Sequence, residues 1–134
     1  MTPQERKDTP IYSGVIKYFK RALGEISRTS LAGNQQHHPD KPLHWDMSKS
    51  VDELDAGVRH LSDAGKVDTD GQLHSAKGAW RSCAFLEREL IYREDFKIPS
   101  DQDVDYQDVI DYTKEKAEKE KQLEGARRFH GVRD

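Results

Sequence analysis

Apolar residues are scarce in this chain. They make up 34% of its 134 residues, against 35% charged, and the mean hydropathy is −0.99. So little apolar area offsets the entropy of ordering a chain poorly. The core is therefore expected to be completed between subunits. There is a single cysteine, Cys83. That excludes an internal disulfide and fits a reducing compartment. No apolar run approaches the roughly 18–20 residues of a membrane span, and the N-terminal MTPQERKDTP has no apolar stretch of the kind a signal peptide needs. A cytoplasmic protein without a membrane partner is expected. Basic excess is also missing: 22 Lys and Arg face 25 Asp and Glu, a net charge of −3. This argues against nucleic acid as a partner. Alternating β-branched stretches are nearly absent, so the fold class is read as all-α. The phosphate loops GxxxxGK[ST] and GxGxxG and the GxSxG elbow do not occur either.

What is present is helical punctuation and periodicity. Residues 1–9 read as a mobile tail. Thr9 and Pro10 read as an N-cap and a first helical position. Ile11, Val15, Phe19, Ala22 and Ile26 then recur at helical spacing, with Gly33 as the expected stop. A polar loop follows from Asn34 to Met47 with three histidines. Ser50 to Glu53 reads as a capping box for a second helix with Leu54, Val58 and Leu61 on one face, ending at Gly65. KVDTDGQ (66–72) reads as a turn. Leu73 to Glu94 fits a long third helix, ended by Pro99. Residues 99–134 form a charged extension. Asp101 to Asp111 holds five aspartates and no lysine or arginine, then KEKAEKEKQLE alternates in sign, then RRFHGVR is basic. Its apolar stripe is weak, so it reads as a surface helix or a partly disordered appendage.

Several residues are candidates for chemistry. Glu25 lies beside the apolar stripe of the first helix, and Asp52 and Asp55 share a face of the second. Two antiparallel helices with acids at the edge of a common interface suit Mg²⁺ or Mn²⁺. Solvated acids at helix edges fit the same pattern, and Asp52 also suits a helix N-terminus. The six histidines lack the tight ligand spacing of zinc sites. A histidine donating to phosphate competes with a satisfied core histidine. Arg59 and Lys77 suit phosphate oxygens, or pairing with Asp55, Asp63 or Glu87. Trp45 stands in a polar loop, where it fits either stacking on a base or stapling the loop to the core. Trp80 reads as core.

The order ALGEISRTSLAGNQ, HWD, DAGVRHL and GKVDTDGQLHSAKGAW resembles the phage-borne dATP/dGTP diphosphohydrolase domain, a branch of the MazG-like all-α nucleoside triphosphate pyrophosphatases. The resemblance covers roughly residues 11–95 and places a MazG-like domain at 10–98. It implies cleavage between the α and β phosphates of a nucleoside or deoxynucleoside triphosphate, purine favoured, giving a monophosphate and pyrophosphate. A supply of dGMP for a modified purine such as 2-aminoadenine, in a phage-infected host cytoplasm, would follow from that setting. By resemblance, Glu25, Asp52 and Asp55 hold Mg²⁺ or Mn²⁺, and Glu53 or Asp68 positions the water. Arg59, His60, His74 and Lys77 balance phosphate charge, Asp70 belongs to the acidic turn, and Asn34 and Trp45 hold the base. Two chains commonly build the bundle, so a homodimer or homotetramer is expected. The sequence departs from the wider Glu-x-x-Glu pattern at Arg28, and from the phage branch at Lys66 and Lys77. A second reading is a non-enzymatic all-α interaction protein whose acidic stretch, 101–111, binds a basic partner.

Overall fold

A computed structural model describes residues 1–129. They are all-helical. No strand occurs among them, and Val67 and Leu73 form one isolated antiparallel bridge. Helix α1 spans Pro3–Lys7. A π-helical turn, Tyr12–Ile16, leads into α2 (Lys17–His37). Then follow α3 (Glu53–Ser62), α4 (His74–Asp95) and α5 (Tyr106–Phe129). None of these helices is long and apolar enough to cross a membrane.

Helix α4 is the spine. α2, α3 and α5 each pack on it, and no contact joins α2 to α3. The common α2/α3 interface expected from the sequence therefore does not exist within the described chain. The α3/α4 approach is close because Gly78 has no side chain. A Cβ there would stand 2.8 Å from Cγ and Cδ2 of Leu61. That contact aligns the end of α3 with the start of α4, where the candidate site is built.

Local signals explain most boundaries and correct several expectations. Residues 3–7 are helical because Thr2 and Glu5 form a capping box. Thr9 does not cap the next helix; its hydroxyl donates back to the Glu5 carbonyl. α2 kinks at Phe19 and passes Gly33 without stopping. The stop comes at His38, where Asn34 organises the exit. Its side-chain amide donates to the Lys41 carbonyl at 3.0 Å and accepts from the His44 N–H. The Ser50 capping box is absent. Asp52 is the N-cap, with no side-chain cap bond, because Glu53 is drawn into the interior by Arg88. Gly65 and Gly71 take positive φ and close the turn between α3 and α4. The acidic stretch ends in a true helix. Val109, Ile110 and Thr113 of α5 are buried, and Phe85 of α4 stacks on Tyr106. The basic end of the chain, residues 130–134, lies outside the described residues.

Among the described residues, the buried apolar core holds Ala56, Ala76, Ala84, Val109 and Ile110. Ile11, Val15 and Phe19 of the first stripe, and Leu54, Val58 and Leu61 of α3, all remain exposed. Two charged side chains fill the space a larger core would occupy: Arg88 is 0% and Glu53 2% exposed.

Candidate functional site

A cleft of about 570 Å³ opens between the second half of α2, the 38–50 loop and the facing ends of α3 and α4. This is within the usual range for small-molecule sites. Its walls combine aromatic and cationic groups. Trp45 and Trp80 meet edge to face with centroids 5.5 Å apart. Lys49, Lys77 and Arg81 line it with His37, His38, His44 and His60. Two of its lining residues, Thr29 and Trp45, carry a buried polar atom with no hydrogen-bond partner among the described residues, Oγ1 and Nε1 respectively. Such atoms are rare in folded proteins.

The floor near α4 is a tight polar cluster. Lys77 Nζ donates to Asp68 Oδ2 and to Asp70 Oδ2, both at 2.7 Å. The Asp68 carboxyl is held down at about 2, chiefly by the hydrogen bond from Lys77 and a second from the Thr69 N–H. So acidic a group is a carboxylate at neutral pH and a poor acceptor of a proton from water. It holds Lys77 in place. Asp70 is lowered by the same ammonium. Desolvation works against the charge on Lys77, but its two aspartates raise its pKa and keep it cationic.

His60, in the last turn of α3, and His74, the first residue of α4, bring their Nδ1 atoms to 2.9 Å. Their rings are tilted at 34° with centroids 5.2 Å apart. His74 Nε2 lies 3.9 Å from Asp68 Oδ1. Burial lowers the His60 pKa, and the charges of Lys77 and Arg59 lower it further. His60 is therefore neutral at pH 7. On the opposite wall, burial would push the Asp46 carboxyl up. Hydrogen bonds from Ser48 and Lys121 instead hold it at about 2. The Lys121 bond, 2.9 Å long, ties α5 to the loop that carries Trp45.

Of the residues expected from the sequence, Asn34, Trp45, His60, Asp70 and Lys77 line the cleft. Asp68 and His74 join it through Lys77 and His60. The others stand elsewhere. Glu25 is paired with Arg28 on α2. Asp52 faces Arg81 at 3.5 Å. Asp55 and Arg59 are exposed on α3. Glu53 is buried against Arg88 Nε at 3.2 Å and Arg81 Nη1 at 3.5 Å, away from the cleft lining. Glu25, Asp52 and Asp55 do not form one ligand set. Among the described residues, the group of three His, Cys, Asp or Glu whose ligand atoms lie within reach of one ion is His60, Asp68 and His74. The physical reason is the missing α2/α3 interface: each helix packs on α4 instead.

Sequence reading missed Lys49, Trp80 and Arg81 as cleft residues. The signal for two of them was available. His74, Lys77 and Arg81 follow one another at i, i+3 and i+7 on α4, with Trp80 between them, which places all four toward one side of the helix. Compared with known proteins, the sequence matches no family model, no curated protein and no solved structure.

Proposed function

We propose that the cleft binds a nucleoside or deoxynucleoside triphosphate and that the chain hydrolyses it between the α and β phosphates. The observation that carries this reading is the Trp45–Trp80 pair set beside Lys49, Lys77 and Arg81. A ligand that satisfies both is flat and aromatic at one end and polyanionic at the other. Indole faces or edges take the base. Ammonium and guanidinium groups take the phosphates. His60, neutral and at the cleft wall, donates to a phosphate oxygen. In the reaction a water oxygen bonds to phosphorus, the bridging oxygen bond breaks, pyrophosphate leaves, and a proton is released. Purines are favoured because two indoles offer a large surface.

Mg²⁺ or Mn²⁺ is the cofactor this reaction class calls for. Glu25, Asp52 and Asp55 do not fit one ion within a single chain. The exposed apolar faces of α2 and α3 fit a MazG-like bundle completed by a second copy, a homodimer or homotetramer. The reading as a non-enzymatic interaction protein has one observation in its favour, the separation of those same three acids.

The two tryptophans are the whole tryptophan content of the chain, and both line the cleft. Their fluorescence is therefore a direct readout. Saturable quenching by dGTP or dATP is expected, excited at the red edge of the indole band, with most of the change lost in Trp45→Phe. Inorganic pyrophosphate should bind without comparable quenching. Emission that stays constant up to millimolar nucleotide would count against the site.

A further inference from the structure

We propose that His60, Asp68 and His74 form a binding site for a borderline divalent transition-metal ion, with Zn²⁺ as the best match. The site is independent of the nucleotide reading, because it rests on the donor set alone. Two imidazoles and one carboxylate are the donors such ions prefer. One ligand atom from each lies within 4.8 Å of the other two. Metal–nitrogen bonds of about 2.0–2.1 Å place two ligands about 3.0–3.4 Å apart around one ion. The Nδ1–Nδ1 separation of 2.9 Å is already close to this. Asp68 Oδ1 stands 3.9 Å from the other ring nitrogen of His74, Nε2, so joining an ion held by the two Nδ1 atoms takes a rotation of the carboxylate or of the His74 ring.

The scaffold holds these donors in place. The turn joining α3 to α4 is closed by the Val67–Leu73 bridge. It is stitched by Asp68 N–H to Gln72 carbonyl at 2.8 Å and Gly71 N–H to Asp68 carbonyl at 2.9 Å. Lys77 holds Asp68 by Oδ2 and leaves Oδ1 toward His74. Oδ1 also accepts from the Thr69 N–H at 2.7 Å, an orienting bond of the kind found around metal ligands. The side chains of His74 and Asp68 are only 15% and 22% exposed. The charge is suitable: Asp68 and Asp70 against Lys77 leave one net negative charge beside two imidazoles. Three protein ligands leave a coordination position for water or an anion, and His60 and Lys77 place that position at the cleft wall.

Sequence spacing concealed this site because its ligands come from a helix end, a turn and a helix start. Within one element no pair shows zinc-like spacing.

The test uses the tag-free full chain, stripped with EDTA and then titrated with Zn²⁺ and Co²⁺ in the absence of nucleotide. Calorimetry should give one ion per chain, and Co²⁺ should develop visible absorption. Loss of an outer-layer partner alone costs 10–100-fold, so His60→Gln, His74→Gln and Asp68→Asn should each weaken binding at least ~100-fold. Cys83→Ser should leave it unchanged, since Cys83 is not among these donors. The rival is the His38–His44 pair, whose ring centroids are 5.0 Å apart. Binding that survives His60→Gln and His74→Gln but is lost in His44→Gln overturns the proposal, as does the absence of any binding. Anomalous scattering at the zinc edge from wild-type crystals locates the ion without relying on the folding of a variant. None of these readouts changes if the protein fails to hydrolyse nucleotides.

Discussion

Truncation of Arg88 to alanine is expected to cost the fold about 3–5 kcal/mol, the usual loss when one partner of a buried ion pair is removed. Arg88 ties four segments together from a fully buried position in α4. Its Nη1 donates to Thr113 Oγ1 in α5, and its Nη2 to the Met47 carbonyl, both at 2.8 Å. Its Nε faces Glu53 of α3 at 3.2 Å. Its guanidinium lies 5.5 Å from the Trp45 ring. Without it the Glu53 carboxylate stays buried with only the more distant Arg81 as a counter-charge. Burial already pushes the Glu53 carboxyl up, against the pull of Arg88 and then Arg81. Removing Arg88 pushes it further. A carboxyl raised in the folded state takes up a proton more readily there than in the unfolded chain. Its stability contribution is present at low pH and lost as pH rises through the folded value. The deficit of Arg88→Ala should therefore shrink as the solution is acidified. Replacing both partners, Glu53→Leu with Arg88→Met, should cost less than the two single losses added together. Urea unfolding followed by circular dichroism measures all of this. A deficit for Arg88→Ala below ~1 kcal/mol, typical of a surface pair, would contradict the role given to Arg88.

Lys77→Ala should lower kcat/KM for the nucleotide about 100–1,000-fold, the range seen when one preorganised donor to developing charge is lost. Lys77 is one of the cations that line the cleft. It is only 19% exposed and is held at 2.7 Å by two carboxylates, so its position is set before any ligand arrives. The substitution removes that cation and leaves Asp68 and Asp70 facing an incoming polyphosphate. Lys77→Arg restores a charge but cannot reproduce both bonds from one nitrogen, so partial recovery is expected. The contrast with a merely structural role is clear. If Lys77 only neutralises the acidic turn, alanine lowers the melting temperature and leaves kcat/KM within a few-fold. Zinc binding gives a second contrast. Lys77 is not one of the proposed ligands, and its removal makes the site more negative, so metal binding should survive when turnover does not.

How far the sequence reveals this molecule depends on the distance over which each feature is decided. α4 is legible almost to the residue, expected at Leu73–Glu94 and found at His74–Asp95, because its i, i+3 and i+4 pattern is local. Gly65 and Gly71 are legible as turn residues for the same reason. The end of α2 is not, because Gly33 tolerates a helix once Asn34 supplies the exit bonds to Lys41 and His44. Glu53 has the spacing of a capping residue, but a partner 35 positions along the chain, Arg88, claims it. The pairing of His60 with His74 depends on how closely α3 approaches α4. That is decided by the missing side chain of Gly78 against Leu61, which no periodicity reports. The acids Glu25, Asp52 and Asp55 share the converse difficulty. Their spacing suggests a common ion, whereas the packing of α2 and α3 on α4 holds them apart within the chain.

The most direct measurement is product analysis after incubation with each of the eight common ribo- and deoxyribonucleoside triphosphates and Mg²⁺ or Mn²⁺. Resolved by ion exchange, the products should be a monophosphate and pyrophosphate in equal amounts, formed fastest from dGTP or dATP. Nucleoside diphosphate and phosphate would contradict cleavage between the α and β phosphates. No product from any nucleotide, with folded protein and metal present, would contradict the enzyme itself.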